Sequence, residues 1–414
     1  MLAIKGVYAA REWSFSVYII FAACILVVFG SMRDFVGAAG YWAMWAGIGI
    51  CGLLNIIRSY SGVLVEKRFT WVCSAHAIFL SGFVIAAVVN SDTYTWYQLA
   101  KLLCIFLIFV VLFINARKLS GRAAYEMCSV LIYLAFTIFI LCKYVFTEYY
   151  VSFGGRQGSR FAYPGVLWKT VVFFSGLVLV KILYDSKKSA CDFLVLGMAI
   201  YLLLMDASRT GLLLAVVIYG GLIFSRYKLA ALKALAVLLL MALSVYTLTL
   251  AVDGLDEGLK GKYPIVFDRF FVTDKTRYRL LSVGLEHAEN CFIFGCGFGS
   301  AVALKAGEAL VVHNAYLAAL GELGIVGFAG FTLLMLMPVI FFVGRQTART
   351  GGADLQSKLG LVAMLGGLGY GLSMMLHPMS SELSEWGIWI IMIAWQSAAY
   401  SSSDAASVFD KRIL

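Results

Sequence analysis

Long apolar stretches separated by short polar connections run through almost the whole chain, and about twelve of them reach the length of a membrane span. They fall at about 14–31, 36–57, 71–89, 98–115, 124–147, 163–183, 190–207, 210–225, 229–251, 323–343, 357–376 and 386–400. Each can cross a hydrocarbon core of about 30 Å as a helix, with every backbone group bonded internally. The pattern predicts an all-α polytopic membrane protein, a single integral membrane domain over residues 1–414 with about 12 transmembrane helices. An even number of spans puts both termini on one side.

One interval breaks the pattern. Residues 252–312 are largely polar and predict a long loop outside the membrane, between the ninth and tenth spans. Within it, Lys275 to Glu289 carries Leu280, Leu281, Gly284, Leu285 and Ala288 at helical spacing, which predicts a short amphipathic helix lying on the membrane. Gly295-Cys296-Gly297-Phe298-Gly299 follows, where glycines permit a tight reversal or a close approach of backbone to a ligand. No predicted strand precedes these glycines, so they do not imply a dinucleotide fold. The next apolar run, Val312 to Phe342, would make a helix of about 45 Å against a core of about 30 Å. It should divide at Gly321 or Gly324, leaving a short outer helix headed by His313 and Asn314 and a span from about Leu323.

Composition adds the class: 62% hydrophobic and 14% charged residues, with a mean hydropathy of +0.90, exclude a soluble protein of this length. Charge adds orientation. Lys5 and Arg11, Arg58, Lys67 and Arg68, Arg117 and Lys118, Lys187 and Lys188, Arg226 and Lys228, Arg345 and Arg349, and Lys411 and Arg412 occupy alternate connections. By the positive-inside rule these face the cytoplasm, so the long loop lies on the opposite side of the membrane. The net charge of +10 is largely accounted for in this way and does not point to nucleic acid. The first apolar run reads as a full span and not as a cleaved signal peptide. Most cysteines lie in apolar runs as small hydrophobes. Cys291 and Cys296, in the outer loop, read as two free thiols beside a glycine turn, with a disulfide open to them in an oxidising compartment.

The outer face also gathers cations and histidines: Arg156 and Arg160 in one short loop, Arg209 in another, Arg277 and Arg279 on the amphipathic helix, His313 at its helix start, and His377 in the last loop. The run HNAYLAALGELG, from His313 to Gly324, resembles the signature of the O-antigen ligase and polymerase superfamily. Arg277 running into Asn290 to Gly299 is similar to that family's R...P-x-x-G-x-G pattern, with Cys291 where proline is usual, and Ser208-Arg209-Thr210-Gly211 is similar to its S-R-x-x motif. The resemblance implies a C-type glycosyltransferase-like fold. It also implies transfer of a glycan from an undecaprenyl-diphosphate carrier to a sugar hydroxyl of lipid A core, inverting and without a metal or other cofactor.

On that reading His313 takes the acceptor proton, and Arg209 and Arg277 stabilise the leaving diphosphate through bidentate bonds. Arg279, Arg156, Arg160, Asn314, Glu322 and His377 are the binding candidates. Plainer roles compete with these. Arg209 is beside Asp206 and suits a structural ion pair; Arg277 suits a solvated helix charge; His313 can simply begin a helix; Glu322 suits fixing the helix break. His76 reads as structural, and Asp253 with Asp256 leaves a metal alternative. Two other functions stay open: a polymerase joining lipid-linked glycans, and a transporter, which would instead concentrate polar groups near the bilayer midplane.

Overall fold

The computed structural model describes residues 14–58, 67–153, 155–185, 189–228, 275–305, 308–346 and 355–410. The predicted span at 229–251 and the first part of the polar interval, 252–274, lie outside them. The helices are α1 (Phe15–Val28), α2 (Arg33–Arg58), α3 (Lys67–Val89), α4 (Thr93–Ala116), α5 (Gly121–Tyr144), α6 (Leu167–Tyr184), α7 (Ala190–Asp206), α8 (Arg209–Tyr227), α9 (Lys275–Asn290), α10 (Ala315–Gln346), α11 (Leu355–Ser373) and α12 (Leu383–Asp410). Every predicted span within the described residues falls on one of them.

The protein is a mostly helical, multi-pass membrane protein. Among the described residues, eight helical stretches are long and apolar enough to cross a membrane, on α2, α3, α4, α5, α6, α8, α10 and α11; α1 is apolar but shorter. Two small hairpins depart from the all-helical expectation. β1 (Tyr150–Phe153) pairs antiparallel with β2 (Arg156–Ser159), and β3 (Val302–Lys305) with β4 (Glu308–Val311).

Local chemistry sets the helix starts. Asp92, Ser120, Ser208 and Asn314 accept hydrogen bonds from first-turn amides of α4, α5, α8 and α10, and Ser189 with Asp192 forms a capping box on α7. Burial sets their places. α12 is buried all round from Trp386 to Ala399 and is the central helix, whereas α2 is largely exposed at the edge.

Polar side chains and small residues hold the helices together, as expected where lipid is as apolar as leucine. α3 and α10 meet backbone to backbone: a Cβ on Gly82 would overlap Gly327, and one on Gly330 would overlap Phe79. Asn55 on α2 donates to Ser16 of α1 (2.9 Å) and to Asn115 of α4 (2.7 Å). Pro338 inside α10 has no N–H for the carbonyl of Leu334, and the Trp389 indole donates to that carbonyl instead (3.0 Å). Gly367 on α11 makes room for the proline ring. His76 is buried among Phe106, Phe109 and Trp389 with Nδ1 on the Val72 carbonyl (3.0 Å), a structural role as its sequence position suggests.

Candidate functional site at one end of the bundle

Six connections touch one another at one end of the bundle, and they carry the candidate residues. Ser31, between α1 and α2, accepts from Tyr163 N (3.0 Å); Asn90, between α3 and α4, donates to Gly295 O (3.0 Å); Arg33 pairs with Glu382 (3.0 Å). The residues gather into two groups.

The first group is built around the turn that starts α6. Asp206, fully buried at the end of α7, accepts from Gly165 N (2.8 Å) and Trp168 N (2.7 Å), so a carboxylate takes up two amides at a helix N-terminus. The Arg156 guanidinium from β2 rests on the same turn, its Nη1 2.8 Å from where a Cβ on Gly165 would stand. Gly165 has φ +94°, a conformation that suits glycine, so the turn and the seat for Arg156 depend on the same residue. The His377 ring stacks on Trp168 with centroids 5.9 Å apart, and Lys169, next in sequence, pairs with Glu385. Arg209 opens α8 three residues beyond Asp206. Arg156 and His377, distant in sequence, therefore meet around one turn, and Arg209 follows the carboxylate that holds it by three residues. Arg160 is exposed on the adjoining segment, where Phe161 stacks on Phe35.

The second group is the break in α10. Gly324 takes φ +68°, ψ −172°, as the excess length of the apolar run predicts, and the outer segment of α10 begins after His313. A break frees carbonyls, and the glycine-rich segment takes them up: Cys296 N donates to Gly321 O (2.9 Å) and Gly297 N to Glu322 O (3.0 Å). Gly295 has φ +75°, and a Cβ there would overlap the Glu322 carbonyl. These glycines thus serve a close approach of backbone to backbone. Cys291 and Cys296 are disulfide-bonded across this turn, with Cα atoms 5.5 Å apart, which corrects the free-thiol reading. The turn itself brings the two residues within bridging distance.

Glu322 is buried and its carboxylate accepts from Ala301 N (3.3 Å), the role of fixing the break. Asn314 accepts from Tyr316 N and Leu317 N (both 3.1 Å) and caps the outer helix. His313 is exposed, with Nδ1 2.8 Å from the carbonyl of Val311. A carbonyl only accepts, so Nδ1 is the donor in that bond.

The amphipathic helix is α9, as its periodicity predicts. Gly284 packs on Val312 and Leu317 and Gly321 packs on His287, so α9 lies along the outer segment of α10. Position 277 is two turns before Gly284 on that packed face; the Arg277 side chain lies outside the described residues. Arg279 is exposed on another face of the helix. Partial burial pushes the His287 imidazole below its usual pKa, and Nε2 donates to Ser300 Oγ (3.0 Å), whose hydroxyl donates to Gly297 O (2.6 Å).

The sequence reading missed the connection between α3 and α4. Besides Asn90, the Thr95 hydroxyl accepts from Phe298 N (2.7 Å) and donates to Asp92. That hydroxyl and the amides of Tyr94 and Thr95 hold the Asp92 carboxyl below the usual carboxylate range. A hydrogen-bonded path joins the two groups. Tyr316, one turn beyond His313, donates to Gly371 O (2.9 Å), and Tyr370 donates to Glu385 O (2.7 Å), where Glu385 meets Lys169. No protein-family model matches the chain, and no curated protein matches it in sequence.

Proposed function

We propose that the protein is an O-antigen ligase. It joins a glycan from an undecaprenyl-diphosphate carrier to a sugar hydroxyl of lipid A core at the periplasmic face of a bacterial inner membrane. This reading takes about twelve spans with both termini cytoplasmic, and residues 252–312 as the periplasmic loop. The observation that carries it is the meeting of Arg156 and His377 around the turn held by Asp206, three residues before Arg209 and at the same end of the bundle as His313.

In the proposed reaction the acceptor hydroxyl gives its proton to Nε2 of His313 while its oxygen bonds to the anomeric carbon. The bond from that carbon to the phosphate oxygen breaks, and the diphosphate leaves with the electron pair. Attack opposite the leaving group inverts the anomeric centre. Guanidinium groups of Arg209 and Arg277 stabilise the departing charge, and Arg156, Arg160 and Arg279 draw in the anionic substrates. Asn314 and Glu322 hold the outer helix that presents His313, and His377 borders the acceptor.

The test is transfer by purified protein in detergent, given undecaprenyl-diphosphate glycan and lipid A core, with and without chelator. General-base catalysis contributes about 10²–10⁴-fold, so His313→Ala should lower the rate by that factor, and Arg209→Ala should also abolish most transfer. Longer lipid-linked glycan in place of glycosylated core would make the protein a polymerase. No covalent product would favour a transporter of amphiphiles.

A further inference from the structure

A cleft of about 570 Å³ lies between α1 and α2. Tyr18, Ala22 and Leu26 line it from α1 and Met44, Gly47 and Cys51 from α2, each set at helical spacing along one face. The lining stripe on α1 runs from Phe15 to Leu26, about 16 Å along the helix axis, or roughly half the hydrocarbon core. Small residues at the middle of both walls create the gap. At one end the Asn55 side chain bonds Ser16 and Asn115 and ties the walls together. The other end reaches Met32, and the next residue is Arg33.

That end carries charge. Glu382 is shared by Arg33 (3.0 Å) and Lys101, so one carboxylate faces two cations and one positive charge is left over. The Arg33 side chain is 39% exposed. Phe35 stacks on Phe161 with centroids 4.9 Å apart, so the segment that carries the exposed Arg160 packs on the start of α2, where Asp34 is also exposed. The same segment leads to Gly165, where Arg156 rests. A long apolar groove along two helices that leads to cations at one end fits one hydrocarbon chain with an anionic head.

We propose that this groove holds the isoprenoid chain of a polyprenyl diphosphate, with Arg33 and Arg160 at its charged end drawing in the headgroup. The inference rests on the ligase reading for its choice of lipid. A single groove suits a single chain, where a phospholipid would bring two. Gly47 allows a clean test, since a side chain added there meets nothing within 4 Å and enters the groove without displacing protein.

The probe is a polyprenyl diphosphate with a photoreactive group in its isoprenoid chain, applied to the purified full chain in detergent. Labelling should fall on α1 and α2, be competed by unlabelled polyprenyl diphosphate and not by phosphatidylglycerol, and drop about tenfold in Gly47→Leu and Arg33→Gln. Gly197→Leu, in equally open space on α7, should label as wild type. Equal competition by phosphatidylglycerol, labelling outside α1 and α2, or undiminished labelling of Gly47→Leu would overturn the proposal. Glycan transfer assayed in parallel separates the two claims. Groove labelling without transfer removes the ligase reading alone, and transfer with labelling elsewhere removes the groove alone.

Discussion

Replacing Gly324 by alanine should unfold the outer end of α10. At φ +68°, ψ −172° the residue occupies a region open almost only to glycine, and any other residue there costs about 1–3 kcal/mol. The added Cβ would overlap Ile293 O and stand 2.7 Å from Phe294 C and 2.8 Å from Gly295 N, all main-chain atoms that no rotamer change can move aside. Relief requires the glycine-rich segment to retreat, which breaks the bonds from Cys296 N to Gly321 O and from Gly297 N to Glu322 O, about 1 kcal/mol each. Together these predict a loss of about 3–5 kcal/mol. Unfolding by sodium dodecyl sulfate titration in mixed micelles would measure it, with Gly197→Ala as reference. Gly197 is on α7 with nothing within 4 Å of an added Cβ, so that substitution should be neutral or slightly stabilising. If Gly324→Ala unfolded within about 1 kcal/mol of Gly197→Ala, the account of the break as a glycine-dependent backbone lock would be wrong. Gly295→Ala strikes the same contact from the other side, so the double variant should lose less than the sum of the two.

Three further outcomes follow from the same end of the molecule. The His287 pKa is lowered by burial, so the unfolded chain takes up its proton first as pH falls through about 6.5. Its contribution should be full above that pH and lost as pH falls toward the folded value, making the stability gap between wild type and His287→Asn shrink from pH 7.5 to the acid side. The Cys291–Cys296 bridge closes a short loop, for which chain entropy gives about 2 kcal/mol. A thiol reductant should therefore lower the melting temperature of wild type and leave that of the Cys291→Ala, Cys296→Ala protein unchanged. Asp206→Asn should lose about 1.5–3 kcal/mol, because an amide cannot accept from both Gly165 N and Trp168 N as the carboxylate does; unchanged stability to the same dodecyl sulfate titration would show the cap to be dispensable.

The helices were legible because each needs only a local pattern, and the break in α10 because a run too long for the bilayer contained glycines at a suitable place. What escaped were features made by distant parts of the chain. Tyr150–Phe153 and Val302–Lys305 are strands too short to display alternation, and they exist only with their hairpin partners. The disulfide depends on a turn whose shape is set by α10, some 25 residues further on. Asn90 and Thr95 read as ordinary residues at a helix start, since their partners, Gly295 and Phe298, lie about 200 positions away. The Leu334 carbonyl freed by Pro338 could be expected from sequence, but not that Trp389 would fill the place.

Asp206 is the residue whose meaning changed most between sequence and structure. Next to Arg209 it suggests the partner of an ion pair. Its two oxygens also shape the start of α6, and two candidate residues depend on that shape through different contacts. Arg156 rests on Gly165, which Asp206 bonds; His377 stacks on Trp168, which Asp206 also bonds; Arg209 begins the helix that follows it. A buried carboxylate that binds backbone amides can fix a turn, and with it the side chains that rest on that turn. An enzyme of the proposed kind needs its guanidinium groups fixed in place before a diphosphate arrives. Ion pairs elsewhere at this end, Lys169 with Glu385 and Arg33 with Glu382, hold neighbouring segments by direct contact. At the Asp206 turn the acid is directed to the main chain, and the fold sets Arg156 and His377 on the segment it holds.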